Sequence, residues 1–206
     1  EDVAIIMKKY DLIVLPVVDE YGKLEGRITI DDVVDLIKEE AEKDYQMASG
    51  ISEDVESTDS IWDLTRARLP WLMIGMVGGI LGAKVIGAFN IHENIEMALF
   101  IPLIAAMGGN VGVQSAAIVV QGLANKSLSI DSIFEKLIKE LGVALVNGVI
   151  CSILILTIAM MLGYGAFLSI TVSIALLSVI VFAALFGTFV PLALNKYNID
   201  PALATG

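Results

Sequence analysis

Between Ala98 and Ala124 the sequence reads ALFIPLIAAMGGNVGVQSAAIVVQGLA, an apolar run long enough to cross a bilayer. Its middle carries Gly108-Gly109-Asn110, then Gly112, Gln114 and Ser115. Lipid offers an amide no hydrogen-bond partner, so these side chains must face protein or a water-filled path. A helix of this kind needs other membrane helices around it. Three more apolar runs are present, and the expected spans are 70–89, 97–124, 141–163 and 168–194. Each is near the ~20 residues that a bilayer requires. With 56% hydrophobic residues and a mean hydropathy of +0.79, one soluble domain is excluded.

Charge placement orients the spans. Arg66 and Arg68 precede the first, Lys126, Lys136 and Lys139 fall between the second and third, and Lys196 follows the fourth. The connections Asn90–Glu96 and Gly163–Phe167 hold no Lys or Arg. The positive-inside rule then puts the N-terminal region, the middle connection and the C-terminal end in the cytosol, in a multi-pass protein of the inner or plasma membrane. Lys84, near the outer end of its span, can snorkel. Trp62 and Trp71 suit the headgroup level, so lipid is an expected partner. The apolar stretches near the start are short and broken by charge, so no signal peptide is expected there.

The formal charge of −11 is concentrated. Between Asp19 and Asp63 there are fifteen Asp/Glu against four Lys/Arg, a balance of −11, and the remainder is neutral. A basic nucleic-acid footprint is absent. The single cysteine, Cys151, lies in an apolar run and excludes a disulfide framework. His92 stands alone in an outer connection, and no nucleophile–base constellation occurs, so an enzyme is not expected.

The first 48 residues have a different rhythm. Val3, Ile6, Met7 and Tyr10 share a helical face, LIVLPVVD and LEGRITI read as strands around a Gly22 turn, and DDVVDLIKEEAEKD reads as a helix opened by Asp31 and Asp32. Such a unit is too small for a core of its own. It resembles the second half of a CBS domain, which implies a partial α/β domain over 1–48. Thr29 and Asp32 fit the T-x-x-D with which CBS domains hold an adenosine ribose, and they equally suit a helix cap. Residues 49–69 read as a linker and an amphipathic plug helix, from Glu53 to Arg68, with an acidic start and a basic end. In the first span Gly75/Gly79, Gly78/Gly82 and Gly79/Ala83/Gly87 have the spacing of close helix approach. The fold class is therefore predominantly α, a polytopic helical membrane domain over 70–206 behind a partial CBS domain and a connecting helix.

Two clusters can carry chemistry. On the second span Asn110, Gln114 and Gln121 share a face, with Pro102 and Gly108-Gly109 expected to weaken the backbone ladder nearby. Asn147 and Thr188 can join them in a path of amides and hydroxyls without fixed positive charge. Mg²⁺ sheds water reluctantly, and outer-sphere contacts to its hydrated form fit that lining. Interhelical hydrogen bonds explain the same amides equally well. The second cluster is acidic: Asp31, Asp32, Asp35, Glu39, Glu40, Glu42 and Asp44, then Glu53, Asp54, Glu56, Asp59 and Asp63. It is a solvated face or a pair of mutually repelling surfaces that divalent cations would hold together.

Nearly the whole chain resembles the MgtE family of CBS-domain magnesium channels and transporters. The resemblance rests on IPLIAAMGGNVGVQSAAIVVQGLA, ARLPWL at Ala67–Leu72, FEKLIKELGVAL at Phe134–Leu145 and NIDPALATG at Asn198–Gly206. It implies a homodimeric Mg²⁺ channel closed by cytosolic Mg²⁺, with Mg²⁺ both transported and regulatory and with ATP possible at the CBS domain. By position it implies a pore-associated Asn110 in the Gly108-Gly109-Asn110 motif, and with Gln114 and Asn147 from the spans themselves this gives the expected pore lining. It implies regulatory carboxylates at Asp11, Asp32, Asp35, Glu40 and Asp44, and Asp200 at the cytosolic mouth. Lys43 departs from the pattern, standing where an acidic ligand can occur beside Asp44. The family's fifth membrane helix, with a central carboxylate, would lie past Gly206. A CBS-regulated sensor that conducts nothing, or a channel for Mn²⁺ or Co²⁺, remain the alternatives.

Overall fold

A computed structural model describes residues 2–89, 95–124, 133–197 and 199–204. His92 and Lys126 lie outside the described residues. The chain divides into two compact units, Glu1–Gln46 and Met47–Gly206.

The first unit is α1 (Asp2–Tyr10), a hairpin of β1 (Val14–Val18) and β2 (Leu24–Thr29), and the start of α2 (Ile30–Ala48). The strands pair antiparallel with Val14 opposite Thr29 and Pro16 opposite Arg27, and a bulge at Val17/Val18. Asp19 builds the hairpin turn, its Oδ1 accepting the amides of Tyr21 at 2.9 Å and Lys23 at 2.8 Å. Gly22 supplies the left-handed residue at φ +80°. Asp11 takes the same region at φ +55°, where the chain leaves α1 and Leu12 N–H bonds to Met7 O. Met7 and Val33 are buried, while Ile5, Ile13, Val34 and Ile37 remain exposed. This is the open apolar surface expected of half a domain.

In the second unit residues 49–60 are irregular. Ser52 donates its amide and its hydroxyl to the carbonyl of Ala67, at 2.9 and 2.8 Å, and Glu53 pairs with Arg66 at 3.3 Å. A helix beginning at Glu53 is therefore not what forms. Helix α3 runs Ile61–Gly87, starting at Ser60, whose hydroxyl accepts Asp63 N–H and donates to its carboxylate. That Ser-x-x-Asp pair is a stronger start signal than the acidic run before it. The expected break between plug helix and first span is also absent, because α3 continues through Pro70.

The next helices are α4 (Ile95–Ala98), α5 (Ile101–Ala124), α6 (Ile133–Met161) and α7 (Ala166–Lys196), followed by a 3₁₀ turn at Pro201–Ala204. Pro102 falls in the first turn of α5, where a missing N–H costs nothing, and α5 is unbroken through Gly108–Asn110. The expected weakening of the ladder there is corrected accordingly. Helix α6 starts at Ile133, earlier than the apolar run that begins at Leu141. It ends in a Schellman motif. Gly163 at φ +87° sends its N–H to Met160 O, and Tyr164 N–H reaches Ala159 O. Among the described residues four spans are long and apolar enough to cross a membrane: α3, α4 with α5 (Ile95–Ala124), α6 and α7. The predominantly helical fold with a small sheet at its N-terminal end is as expected.

Helix α7 is the hub, packed against both α5 and α6. A Cβ on Gly187 would strike the carbonyl oxygen of Gly112, and one on Gly108 would lie 2.8 Å from Val179 Cγ1. On α6 the buried stripe Ala144, Gly148, Ser152 lets α7 approach, and a Cβ at Gly148 would meet Leu177 at 2.6 Å. Ser152 Oγ donates to Ser173 O across this contact at 2.9 Å. On α3, Gly75, Gly78, Gly79 and Gly82 have nothing within 4 Å of an added Cβ among the described residues, so their close-approach spacing meets no described helix.

Candidate functional site

The 108–118 stretch of α5 presents two working faces. Gly108 and Gly112 turn toward α7. Val111, Gln114, Ser115 and Ile118, at helical three- and four-residue spacing, line a cavity of about 420 Å³ instead. Helix α6 bounds it with Glu140, Val143 and Asn147, and α7 with Ile180, Ala184 and Thr188; Lys139, just before Glu140, and Lys136, one turn before it, stand on the same wall, so the expected lining without fixed positive charge is corrected.

Hydroxyls decide the chemistry here. A Ser or Thr on an apolar helix normally bonds back to the carbonyl four residues earlier. Thr157, Thr171, Ser173 and Ser178 all do, at 2.8–2.9 Å. Two residues of the cavity do not. Ser115, only 4% exposed, donates to Glu140 Oε1 at 2.6 Å, the length of a bond to an ionised carboxylate. Thr188, 2% exposed, has no hydrogen-bond partner for Oγ1 among the described residues. An unmet buried hydroxyl costs about 1–3 kcal/mol, so the cavity wall carries an unfilled demand.

Of the residues singled out from sequence, Gln114, Asn147 and Thr188 meet in this cavity. Asn110 is exposed and off its wall, Gly109 faces open space, and Gly108 packs on α7. Ser115 and Glu140 were missed as a pair. They are 25 residues apart, and Glu140 sits just outside the apolar run, where only the early start of α6 places it on the helix.

The acidic residues are more dispersed. Thr29 is the N-cap of α2 and sends both its amide, at 2.8 Å, and its hydroxyl, at 2.6 Å, to Asp32 Oδ2. The hydroxyl bond first, then the amide bond, hold the Asp32 carboxyl below its ordinary value of 3.8, with a smaller contribution from Arg27. Asp35, Glu40 and Asp44 follow along α2 and Asp11 terminates α1. Asp200 Oδ1 accepts Ala202 N–H at 2.9 Å, capping a 3₁₀ turn that packs against α5 and α7. Among the described residues no three His, Cys, Asp or Glu converge as a metal ligand set.

A polytopic helical membrane protein with an oxygen-lined cavity among its spans, preceded by part of a CBS fold, belongs with membrane transport proteins. Residues 101–206 match the MgtE family, described as a divalent cation transporter, and residues 1–39 match the CBS domain. The chain belongs to the MgtE family. Similar proteins are the magnesium transporters MgtE of Bacillus subtilis, 30% identical, Thermus thermophilus, 33%, and Enterococcus faecalis, 34%. Each match covers 100% of this chain and 46% of the relative, so the chain spans about half the length of the curated relatives it matches.

Proposed function

We propose that this chain is part of a channel-type transporter that lets Mg²⁺ cross the membrane passively, down its electrochemical gradient. The observation that carries this reading is the match of residues 101–206 to a divalent cation transporter family, in a chain whose relatives are named magnesium transporters, and the cavity among α5, α6 and α7 adds Gln114, Asn147 and Thr188 as oxygen donors among apolar side chains and two lysines. Amide and hydroxyl oxygens suit a hard cation that keeps its waters. The cavity of about 420 Å³ is roomier than the roughly 180 Å³ that six waters occupy in liquid. Gln114 and Asn147 line the path there. Gly108, Gly109 and Asn110 belong to its wall in the assembled protein, with the exposed Asn110 turned to a surface that a second copy or a further helix covers.

The finer features of the reading follow from charge and exposure. The N-terminal unit is cytosolic, by the Lys/Arg bias of the connections. The protein is a homodimer, as the family resemblance implies. Cytosolic Mg²⁺ closes the channel by bridging acidic surfaces that carry Asp11, Asp32, Asp35, Glu40, Asp44 and Asp200, with ligands drawn from more than one element or copy. ATP can add to this control at Thr29 and Asp32, since Asp32 Oδ1 accepts no hydrogen bond among the described residues.

Liposomes containing the full-length protein and a Mg²⁺-sensitive dye test the reading. Mg²⁺ entry without added ATP is expected, slowed by Asn110→Ala or Gln114→Ala. Absence of entry, with the CBS region still binding nucleotide, would leave a sensor rather than a channel. Entry of Mn²⁺ or Co²⁺ in preference to Mg²⁺ would change the ion.

A further inference from the structure

We propose that the cavity among α5, α6 and α7 holds the headgroup of an anionic phospholipid, with its phosphate at Lys139 and its oxygens anchored a second time by Thr188. The binding itself does not rest on the transport reading.

The lining chooses the sign of the ligand. Lys136 and Lys139 against Glu140 leave one positive charge in excess, and Ser115 draws Glu140 Oε1 toward α5 at 2.6 Å. Lys139 is exposed and forms no ion pair among the described residues, so its ammonium is the group that meets the phosphate. Lys136 is half-buried and stays on the wall as a second positive charge, with no freedom of its own required. Thr188 points to a ligand independently. Its Oγ1 is buried on the same wall without a partner among the described residues, and such a hydroxyl is met by an oxygen or by ordered water. Phosphate and ester oxygens of one lipid molecule supply both contacts.

The rest of the lining selects a lipid over a free anion. Val111, Ile118, Val143 and Ile180 present an apolar surface that a hydrated inorganic ion would leave uncovered. From Lys136 to Asn147 the lining runs roughly 16 Å along α6, at 1.5 Å per residue, and its charges are confined to residues 136–140. This end of α6 is the one that the Lys/Arg bias assigns to the cytosol, where basic pockets between spans meet anionic headgroups. The charged end therefore faces the headgroup level and the apolar part lies deeper. At about 420 Å³ the cavity has the size of a small-molecule site, room for a headgroup and glycerol with the chains left in the bilayer. One phosphodiester charge cancels the excess of one, so a lipid-bound cavity no longer repels a cation passing Gln114 and Asn147.

The test titrates delipidated full-length protein with phosphatidylglycerol, and with phosphatidylcholine as the neutral counterpart, and counts retained lipid by native mass spectrometry. The wild type should hold one phosphatidylglycerol per chain in preference to phosphatidylcholine. Lys139→Gln is expected to weaken that lipid about fivefold, the worth of one basic side chain at an anionic lipid surface, and Lys139→Arg should restore it. Thr188→Val keeps the shape and removes only the unmet hydroxyl. It is expected to weaken the same lipid about fivefold, the worth of one hydrogen bond, without lowering the thermal midpoint. Wild-type retention in both Lys139→Gln and Thr188→Val would overturn the site and leave snorkelling lysines among annular lipid. Equal retention of phosphatidylcholine would do the same. Binding of inorganic phosphate with no phosphatidylglycerol retained would overturn it in favour of a free anion. In liposomes, adding phosphatidylglycerol to phosphatidylcholine should speed Mg²⁺ entry more in the wild type than in Lys139→Gln, and equal gains would refute the counter-charge role. Retained phosphatidylglycerol with no Mg²⁺ flux in either mixture would sink the transport reading and leave the lipid site standing.

Discussion

Gly187→Ala is the sharpest probe of how α7 organises the spans. The new Cβ would land on the backbone carbonyl of Gly112, and backbone inside an unbroken helix cannot swing aside as a side chain can. The helices must separate by about an ångström before that contact becomes ordinary. A gap of that size forfeits a quarter to a half of each cross-helix dispersion contact. With each atom pair worth ~0.1–0.2 kcal/mol and some tens of pairs along the crossing, the loss is about 2–3 kcal/mol, in the range of overpacked cores. Ala is otherwise the better helix former by about 1 kcal/mol, so a glycine not used for close approach should gain from the change. Gly79→Ala on α3 supplies that control, because nothing lies within 4 Å of its added Cβ. Thermal unfolding of the full-length protein in detergent, read by tryptophan fluorescence and by size-exclusion recovery, should show Gly187→Ala well below the wild type and Gly79→Ala unchanged or above it. Equal midpoints for Gly187→Ala and wild type would refute the close crossing. An equal loss in Gly79→Ala would mean that α3's glycine face is packed against another copy.

Three further outcomes follow from single contacts. The low-lying carboxyl of Asp32 stabilises the start of α2 fully above about pH 3.8 and loses that contribution as pH falls through its lowered folded value, so protection of the Thr29 amide relative to its intrinsic exchange rate should fall on acidification and Asp32→Asn should remove that fall. Gly163→Ala places a Cβ in the left-handed region and should cost about 1–2 kcal/mol in the thermal midpoint, whereas an unchanged midpoint would mean the α6–α7 turn is not a Schellman motif. Ser60→Ala removes the N-cap of α3 and should raise hydrogen exchange at Asp63 and Leu64 by an amount corresponding to about 1 kcal/mol, leaving α5 to α7 untouched.

The parts of this molecule written in local pattern were readable before the structure. Apolar runs announced four spans, and the strand–glycine–strand–helix order announced half of a CBS fold. What sequence could not rank was one small-residue stripe against another. Gly75/Gly79 on α3 and Ala144/Gly148/Ser152 on α6 have the same spacing, yet only the second meets a helix of this chain. Spacing reports which residues share a face and is silent about what lies opposite. The same limit hid Ser115 and Glu140, since each is ordinary until α6 is extended back to Ile133 and laid beside α5. The start of α3 failed for another reason. Acidic residues from Glu53 onward suit a helix dipole, but Ser52 and Glu53 find better partners by folding back onto Ala67 and Arg66.

The glycines and the amides of GGNVGVQS therefore answer to different neighbours, and the first group makes the second effective. Without a Cβ at 187, α7 can lie against α5 closely enough to meet the Gly112 carbonyl, and the bare Gly108 leaves room for Val179. The cavity faces the other side of that same contact, bounded by Gln114 and Ser115 on α5 and by Ala184 and Thr188 on α7. Pushing α5 and α7 apart would widen the cavity between Gln114 and Thr188 while leaving every polar side chain in place. Flux should then fall in Gly187→Ala even at temperatures where the protein remains folded, and the fall should exceed that in Asn110→Ala if the cavity limits passage. A Gly187→Ala channel that conducts like the wild type below its unfolding transition would separate the glycine contact from the path and confine it to stability.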